Sequence, residues 1–224
     1  MISTLIVRGE PARDAAADLD RSVELLRAVA GGSIGDDRVV RVYAPLPTVA
    51  MSRRESRMPG FERACAAAVA RGFTPVIRPT GGRAVAYDET CLVFDIIDRE
   101  PEMSDQSAFF LRVGDALVTA MRRLGVDARV GDVPGEYCPG EFSINARGTV
   151  KLIGTSQRAV RGARLLSGML PLGEVAHLVD VLVEVNAALE LEWDSSTFGS
   201  LRAEASGPGR AAVEDAVVGA LIEL

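Results

Sequence analysis

The chain has 224 residues, 48% of them hydrophobic, and carries a net charge of −6. That length and apolar content suffice for a sizeable core, expected as one domain over residues 1–224, and the acidic balance argues against nucleic acid or an anionic membrane as main partner. Three cysteines without a Cys-x-x-Cys pair suggest neither a disulfide framework nor a zinc site, and the single histidine, His177, leaves no multi-His metal site and no His-dependent triad.

The opening run Met1 to Arg8 has no basic segment followed by a long apolar one, and no later stretch reaches the apolar length of a membrane span. A soluble, cytoplasmic and monomeric protein is expected. Thr4 to Arg8 reads as a strand, and a helix is predicted from Pro11, with Ala15, Leu19, Val23, Leu26 and Ala30 on its apolar stripe and Gly31-Gly32 at its end. Arg38 to Tyr43 alternates like a half-buried strand, and Thr48 to Ser52 forms another. The loop Arg53 to Gly60 then sets three arginines within five residues just after a strand end, either as a solvated turn or facing a ligand or an acidic partner.

Phe61 to Ala70 is predicted as a helix with Phe61, Ala64, Cys65, Ala68 and Val69 on one face, stopped by Gly72. Thr74 to Arg78 is a strand leading into Pro79-Thr80-Gly81-Gly82-Arg83. Two glycines between strands let backbone approach a ligand and present N–H groups to it, although such a pair is also an ordinary tight turn. Cys91 to Ile97 is an apolar strand in which Cys91 packs. Ser104 to Leu124 is the strongest helix signal, with Ser104 as N-cap and Phe110, Val113, Leu117, Val118, Met121 and Leu124 inward.

Val126 to Val130 reads as a strand and Gly131 to Glu136 as a link. Glu141 to Asn145 and Val150 to Val160 are two strands joined by a short turn, followed by a turn at Arg161 to Ala163 and a strand from Arg164 to Leu170. A helix from Glu174 to Leu189, an irregular stretch from Trp193 to Ser200 and a helix from Ala211 to Leu224 complete the reading. Adjacent runs of strands with a few long helices predict an α+β fold, a mixed and largely antiparallel central sheet flanked by helices.

Two residues stand out chemically. Of the 25 basic residues only Lys151 is a lysine, in a chain that otherwise uses arginine throughout; it marks a position where a compact point charge is wanted and a rigid fork is not. Cys138 lies in a Tyr137-Cys138-Pro139-Gly140 turn, a setting that brings a thiol to a cleft, and in the absence of a spare histidine Lys151 or an arginine is the cation available to it. If the strands flanking Arg147 paired symmetrically, Cys138 would face about Ser156 and not Lys151, so spacing alone does not join the two.

Three blocks resemble the lipoate-protein ligase and octanoyltransferase group, whose fold is shared with biotin protein ligases. They are Arg54-Glu55-Ser56-Arg57-Met58-Pro59, then Arg78 to Asp88 around Gly81-Gly82, then Tyr137 to Gly140 with Lys151-Leu152-Ile153-Gly154-Thr155-Ser156-Gln157-Arg158. The cysteine block is most similar to the octanoyl-[H protein]:protein octanoyltransferase branch. The resemblance implies an α+β ligase-like catalytic domain, Cys138 as acyl-accepting nucleophile, Lys151 as the group that orients the acyl carbonyl, and Arg78, Gly81, Gly82, Arg83, Asp88, Gly154 and Gln157 as substrate-binding residues. It implies no metal and no cofactor for a transferase, and ATP with magnesium if the chain is a lipoate ligase. Implied partners are lipoyl domains of the glycine cleavage H protein or of E2 subunits, and acyl carrier protein. Many ligases have a third glycine and then His-Asp where this chain has Arg83 and Tyr87-Asp88; the loss of that glycine resembles the transferases, while Arg83 could equally meet a phosphate. A non-catalytic acyl-binding relative is the third reading, and biotin a minor fourth.

Overall fold

The structure is a computed structural model that describes residues 2–10, 14–100 and 106–224. The helix start expected at Pro11 and the N-cap expected at Ser104 lie outside the described residues. In chain order the elements are β1 (Thr4–Arg8), α1 (Ala15–Ala30), β2 (Arg38–Tyr43), β3 (Thr48–Met51), α2 (Phe61–Ala70), β4 (Thr74–Ile77), β5 (Val85–Tyr87), β6 (Cys91–Glu100) and α3 (Gln106–Arg123). They continue as β7 (Ala128–Val130), β8 (Ile144–Ala146), β9 (Val150–Val160), β10 (Gly162–Pro171), α4 (Ala176–Ala188), α5 (Leu201–Glu204) and α6 (Arg210–Ile222). The α1 helix is opened by Asp14, whose carboxylate accepts from the Ala17 N–H at 2.8 Å, so its first turn begins at Ala15.

A seven-stranded sheet runs β1-β2-β6-β10-β9-β8-β7, parallel only between β1 and β2, and a three-stranded sheet runs β4-β3-β5. This is the mixed, mostly antiparallel α+β arrangement expected. One face of the large sheet packs Val40, Phe94, Ile96 and Leu166 against α3 and α6. The opposite face carries Val39, Ile97 and Leu165 under α1, and beside them Tyr43, Val93 and Met169 join the core of the small sheet, α2 and α4.

Two expectations are corrected. The β2 strand is buried at all six positions and not half-exposed. Both faces are covered, so its arginines are neutralised inside: Arg38 forks onto Asp98 at 2.6 and 2.9 Å, and Arg41 reaches Glu10 at 3.1 Å and Asp95 at 3.5 Å. A charge buried without such partners would cost several kcal/mol, roughly. Val69 of α2 is 62% exposed, because only Ala64 and Ala68 of that helix are fully buried.

Pairing in register sets side chains of neighbouring strands on the same face. Three cross-strand rows therefore lie side by side on the face beneath α1 and the small sheet. Tyr43, Val93, Met169 and Gly154 form one, Arg41, Asp95, Ser167 and Ser156 the next, and Val39, Ile97, Leu165 and Arg158 the third. A polar row thus runs between two that are mainly apolar.

Candidate active site

The β8–β9 hairpin turns at Arg147 and Gly148, both with positive φ, and pairs Lys151 with Asn145 across a bulge. From there the Lys151 side chain passes into the interior and is only 4% exposed. Its Nζ donates to the Cys138 carbonyl at 2.7 Å and to Glu136 Oε1 at 3.1 Å, and lies 4.8 Å from the centre of the Tyr137 ring. An ammonium has three donors, so one N–H remains without an acceptor among the described residues, in a side chain that lines two cavities. On its other side the β9 backbone is held by a parallel bridge from Lys151 to Phe198, with the Gly199 N–H donating to the Lys151 carbonyl at 2.9 Å.

Glu136 is the residue that reading the sequence missed. Buried, it accepts at Oε1 from Lys151, from the Gly140 N–H at 3.0 Å and from Ser143 Oγ at 2.7 Å, and at Oε2 from the Val133 N–H at 3.2 Å. The Tyr137–Gly140 turn is wrapped around this carboxylate. A lone interior lysine requires a counter-charge, and a glutamate two residues before the cysteine was the signal available in the sequence.

Cys138 is half-buried, and its Sγ accepts the Arg83 backbone N–H at 3.1 Å. The thiol thus meets the Gly81-Gly82 loop, and Lys151 meets the carbonyl of the same cysteine. The other two thiols sit differently: burial pushes Cys91 up to about 12, and burial followed by the Glu62 charge raises Cys65.

The Arg78–Ala84 loop is pinned from several sides. Arg78 donates to the Arg83 carbonyl at 2.7 Å, Glu55 accepts the Ala84 N–H at 2.7 Å, Arg158 donates to the Pro79 carbonyl at 3.0 Å, and Ser156 Oγ donates to Thr80 Oγ1 at 2.9 Å. Gly82 has φ +97°, and a Cβ there would stand 2.5 Å from the Arg78 guanidinium and 3.1 Å from Cys138 Sγ. Gly81 faces open space. At Gly154 a Cβ would come within 2.9 Å of the Tyr137 hydroxyl and 3.1 Å of Lys151 Cε.

Cys138 stands where three cavities meet. The first, about 60 Å³, runs inward past Val85, Val93, Leu165 and Met169 and is lined also by Arg78, Arg83, Tyr137, Lys151 and Gly154. The second, about 280 Å³, is bordered by Gly81, Gly82, Phe142, Ser143, Lys151 and Gln157. The third, about 640 Å³, opens outward between Gly81, Gly82, Arg83 and the exposed Arg53 and Arg54. Arg78, Gly81, Gly82, Arg83, Gly154 and Gln157 are thereby brought round Cys138 and Lys151. Asp88 is not: it lines none of the three cavities and accepts instead from the Thr90 N–H and Oγ1 and pairs with His177 Nε2 at 2.5 Å. Burial raises its carboxyl, but the hydrogen bonds from Thr90 and His177 outweigh this and hold it below the ordinary value.

Such a site can offer a thiol to an acyl carbon, a buried ammonium to its oxygen, and a narrow apolar channel to its chain. Among the described residues no helix is long and apolar enough to cross a membrane. Comparison with known proteins bears on the same residues. Residues 14–205 match the lipoyl protein ligase A/B catalytic domain. An octanoyl-[GcvH]:protein N-octanoyltransferase of Anoxybacillus flavithermus is 31% identical over 133 residues, which are 58% of this chain and 47% of that protein. The enzyme of the same description from Geobacillus kaustophilus is 31% identical over 139 residues, 62% of this chain and 48% of its own. The matched part of the chain thus spans about half the length of these relatives. In structure, lipoate-protein ligase A bound with ATP has a TM-score of 0.78 at 20% identity, covering 99% of this chain and 85% of that one, a likeness of fold.

Proposed function

Because the chain belongs to the lipoyl protein ligase A/B catalytic domain family, we propose that it transfers an octanoyl or lipoyl group to a lysine of a lipoyl domain through a thioester on Cys138. The observation that carries the reading is the position of Cys138 Sγ, at the junction of three cavities, beside the Arg83 N–H and two residues after Glu136 of the buried Lys151–Glu136 pair. The names of the transferase relatives, which specify octanoyl-[GcvH], support an acylated H protein as donor.

In the first half-reaction the Cys138 sulfur attacks the acyl carbonyl carbon, the bond from that carbon to the donor's lysine nitrogen (or thioester sulfur) breaks, and the leaving group departs with the thiol proton. Negative charge gathers on the carbonyl oxygen. The third Lys151 N–H and the Arg83 amide are the donors suited to receive it. In the second half-reaction the ε-amine of the acceptor lysine attacks the thioester and the C–S bond breaks, returning the thiol. The acyl chain occupies the narrow apolar cavity, while the wide cavity rimmed by Arg53 and Arg54 receives the carrier domain, an H protein, an E2 lipoyl domain or acyl carrier protein. We take residues 1–224 as one catalytic domain of this kind, requiring no metal or cofactor.

A second reading, ATP-dependent lipoate ligation, is favoured by one feature: the cationic wide cavity, with Arg53, Arg54 and Arg83 around two glycines, suits the phosphates of a nucleotide with its magnesium. Intact-protein mass spectrometry after incubation with octanoylated H protein, without ATP, separates the two. A hydroxylamine-labile acyl adduct is expected on the wild type and not on Cys138→Ser. ATP-dependent acylation of a lipoyl domain that survives Cys138→Ser and is lost in Lys151→Ala would install the ligase instead.

A further inference from the structure

Cys138 and Pro139, together with Gly81 and Gly82, line both of the larger cavities and so stand as a ridge between them. The cysteine is open to both sides. The two openings differ in charge. Arg53, Arg54 and Arg83 surround the wide one, and its one carboxylate, Glu55, is taken up by the Ser52 and Ala84 amides. Among the described residues the second opening has a single charged group on its wall, Lys151, whose ammonium is already paired with Glu136 at 3.1 Å.

The second opening also differs in surface. Phe110 of α3 and Phe142 of the loop before β8 stack there with ring centres 5.0 Å apart and an interplanar angle of 6°. Both residues are only half-buried, and neither lines the narrow or the wide cavity. The remaining polar lining is neutral, from Ser143, Thr155, Ser156 and Gln157.

A carrier lysine makes two demands on its route to Cys138. Its stem of methylenes lies favourably along apolar surface, and its amine is cationic until it has lost a proton. At the arginine-ringed opening that cation meets like charges. Along the second it meets aromatic carbon, and a ring face attracts an ammonium. The acyl carbon held on Cys138 is common to both routes, so charge and surface select between them.

We propose that the opening walled by Phe110 and Phe142 is the channel for the carrier lysine, while the body of the carrier rests on the arginine rim across the ridge. This rests on the acyl-transfer reading above. In the channel the ammonium gives its extra proton to solvent, the amine nitrogen bonds to the acyl carbon as the C–S bond breaks, and one N–H proton passes to the departing sulfur. The lysine of an acylated donor carrier enters and leaves by the same channel.

The full chain is tested with two donors, octanoylated H protein and octanoyl-N-acetylcysteamine, a small uncharged thioester. Intact-protein mass spectrometry follows the adduct on Cys138 and then its transfer to a lipoyl domain. Phe110→Ala combined with Phe142→Ala removes the aromatic wall. Gly140→Leu plugs the channel instead, because a Cβ at Gly140 meets only Ser143 Oγ, at 3.9 Å, and Gly140 lines neither of the other two cavities. Each change is expected to slow acyl exchange with both carriers about tenfold or more, and to slow acylation by the small thioester less than about threefold. Carrier exchange at the wild-type rate in both variants, or equal slowing with the two donors, overturns the inference and leaves the cysteine route standing. Absence of any adduct on the wild type overturns it together with the acyl-transfer reading.

Discussion

Lys151 and Glu136 form a buried pair whose members each make further bonds, the lysine to a carbonyl and the glutamate to two amides and a hydroxyl. Removing one charge leaves the other uncompensated. Glu136→Gln is expected to cost about 3 kcal/mol in a urea titration, and Lys151→Met added to it to recover most of that. Strictly additive losses in the two single variants and the double would show that the pair is not coupled. The two glycines of the neighbouring loop differ as sharply. At Gly82 an alanine meets a positive φ and two close side-chain atoms, and Gly82→Ala is expected to cost about 1–3 kcal/mol and to suppress formation of the acyl adduct. Gly81→Ala, facing open space, is expected to leave both nearly unchanged. Equal behaviour of the two alanine variants would refute the close approach inferred at Gly82.

At the scale of elements, the hydrophobic period located nearly every strand and helix, because each buries one consistent face. What it could not separate is burial on one face from burial on two. The alternation of β2 reflects two different covered faces, one under α6 and one under α1, and its arginines are interior because Asp98 and Asp95 are opposite them in register. For the candidate site, the lone lysine and the cysteine in a Pro-Gly turn were legible from residue type. Their meeting was not, since a bulge in the β8–β9 hairpin and the wrapping of the turn on Glu136 decide it. Asp88, grouped with the site by its motif, instead anchors the turn before β6: its carbonyl accepts the Cys91 N–H, and its side chain holds Thr90. Its folded-state value is lowered from 3.8, so its contribution to stability is complete above that value and is lost as pH falls through the lower folded one. Asp88→Asn is expected to flatten the acid limb of a melting-temperature profile taken between about pH 5 and pH 2. An unchanged limb would mean that another carboxylate controls it.

Over the whole molecule, a net charge of −6 coexists with an arginine-rimmed opening at the candidate site. An acidic carrier domain would be steered to that opening against the general repulsion of the chain. Charge reversal at Arg53 and Arg54 is therefore expected to slow acyl transfer to a carrier severalfold and to weaken its salt dependence, while acylation from a small neutral thioester is unchanged. Loss of both activities alike would place these arginines in maintenance of the fold. The strap from Trp193 to Gly199 has a kinetic implication of its own. It binds the Gly135 carbonyl through the Asp194 N–H and the Lys151 carbonyl through the Gly199 N–H, joining the two walls of the site from a distant part of the chain. Neighbouring hairpins such as β9–β10 close short loops, whereas the strap must close long ones, at greater entropic cost and correspondingly late. During refolding, the amide of Gly199 should gain protection from hydrogen exchange after those of β9 and β10. The molecule would then pass through a stage in which its sheet is assembled but the two walls of the site are not yet tied across by the strap.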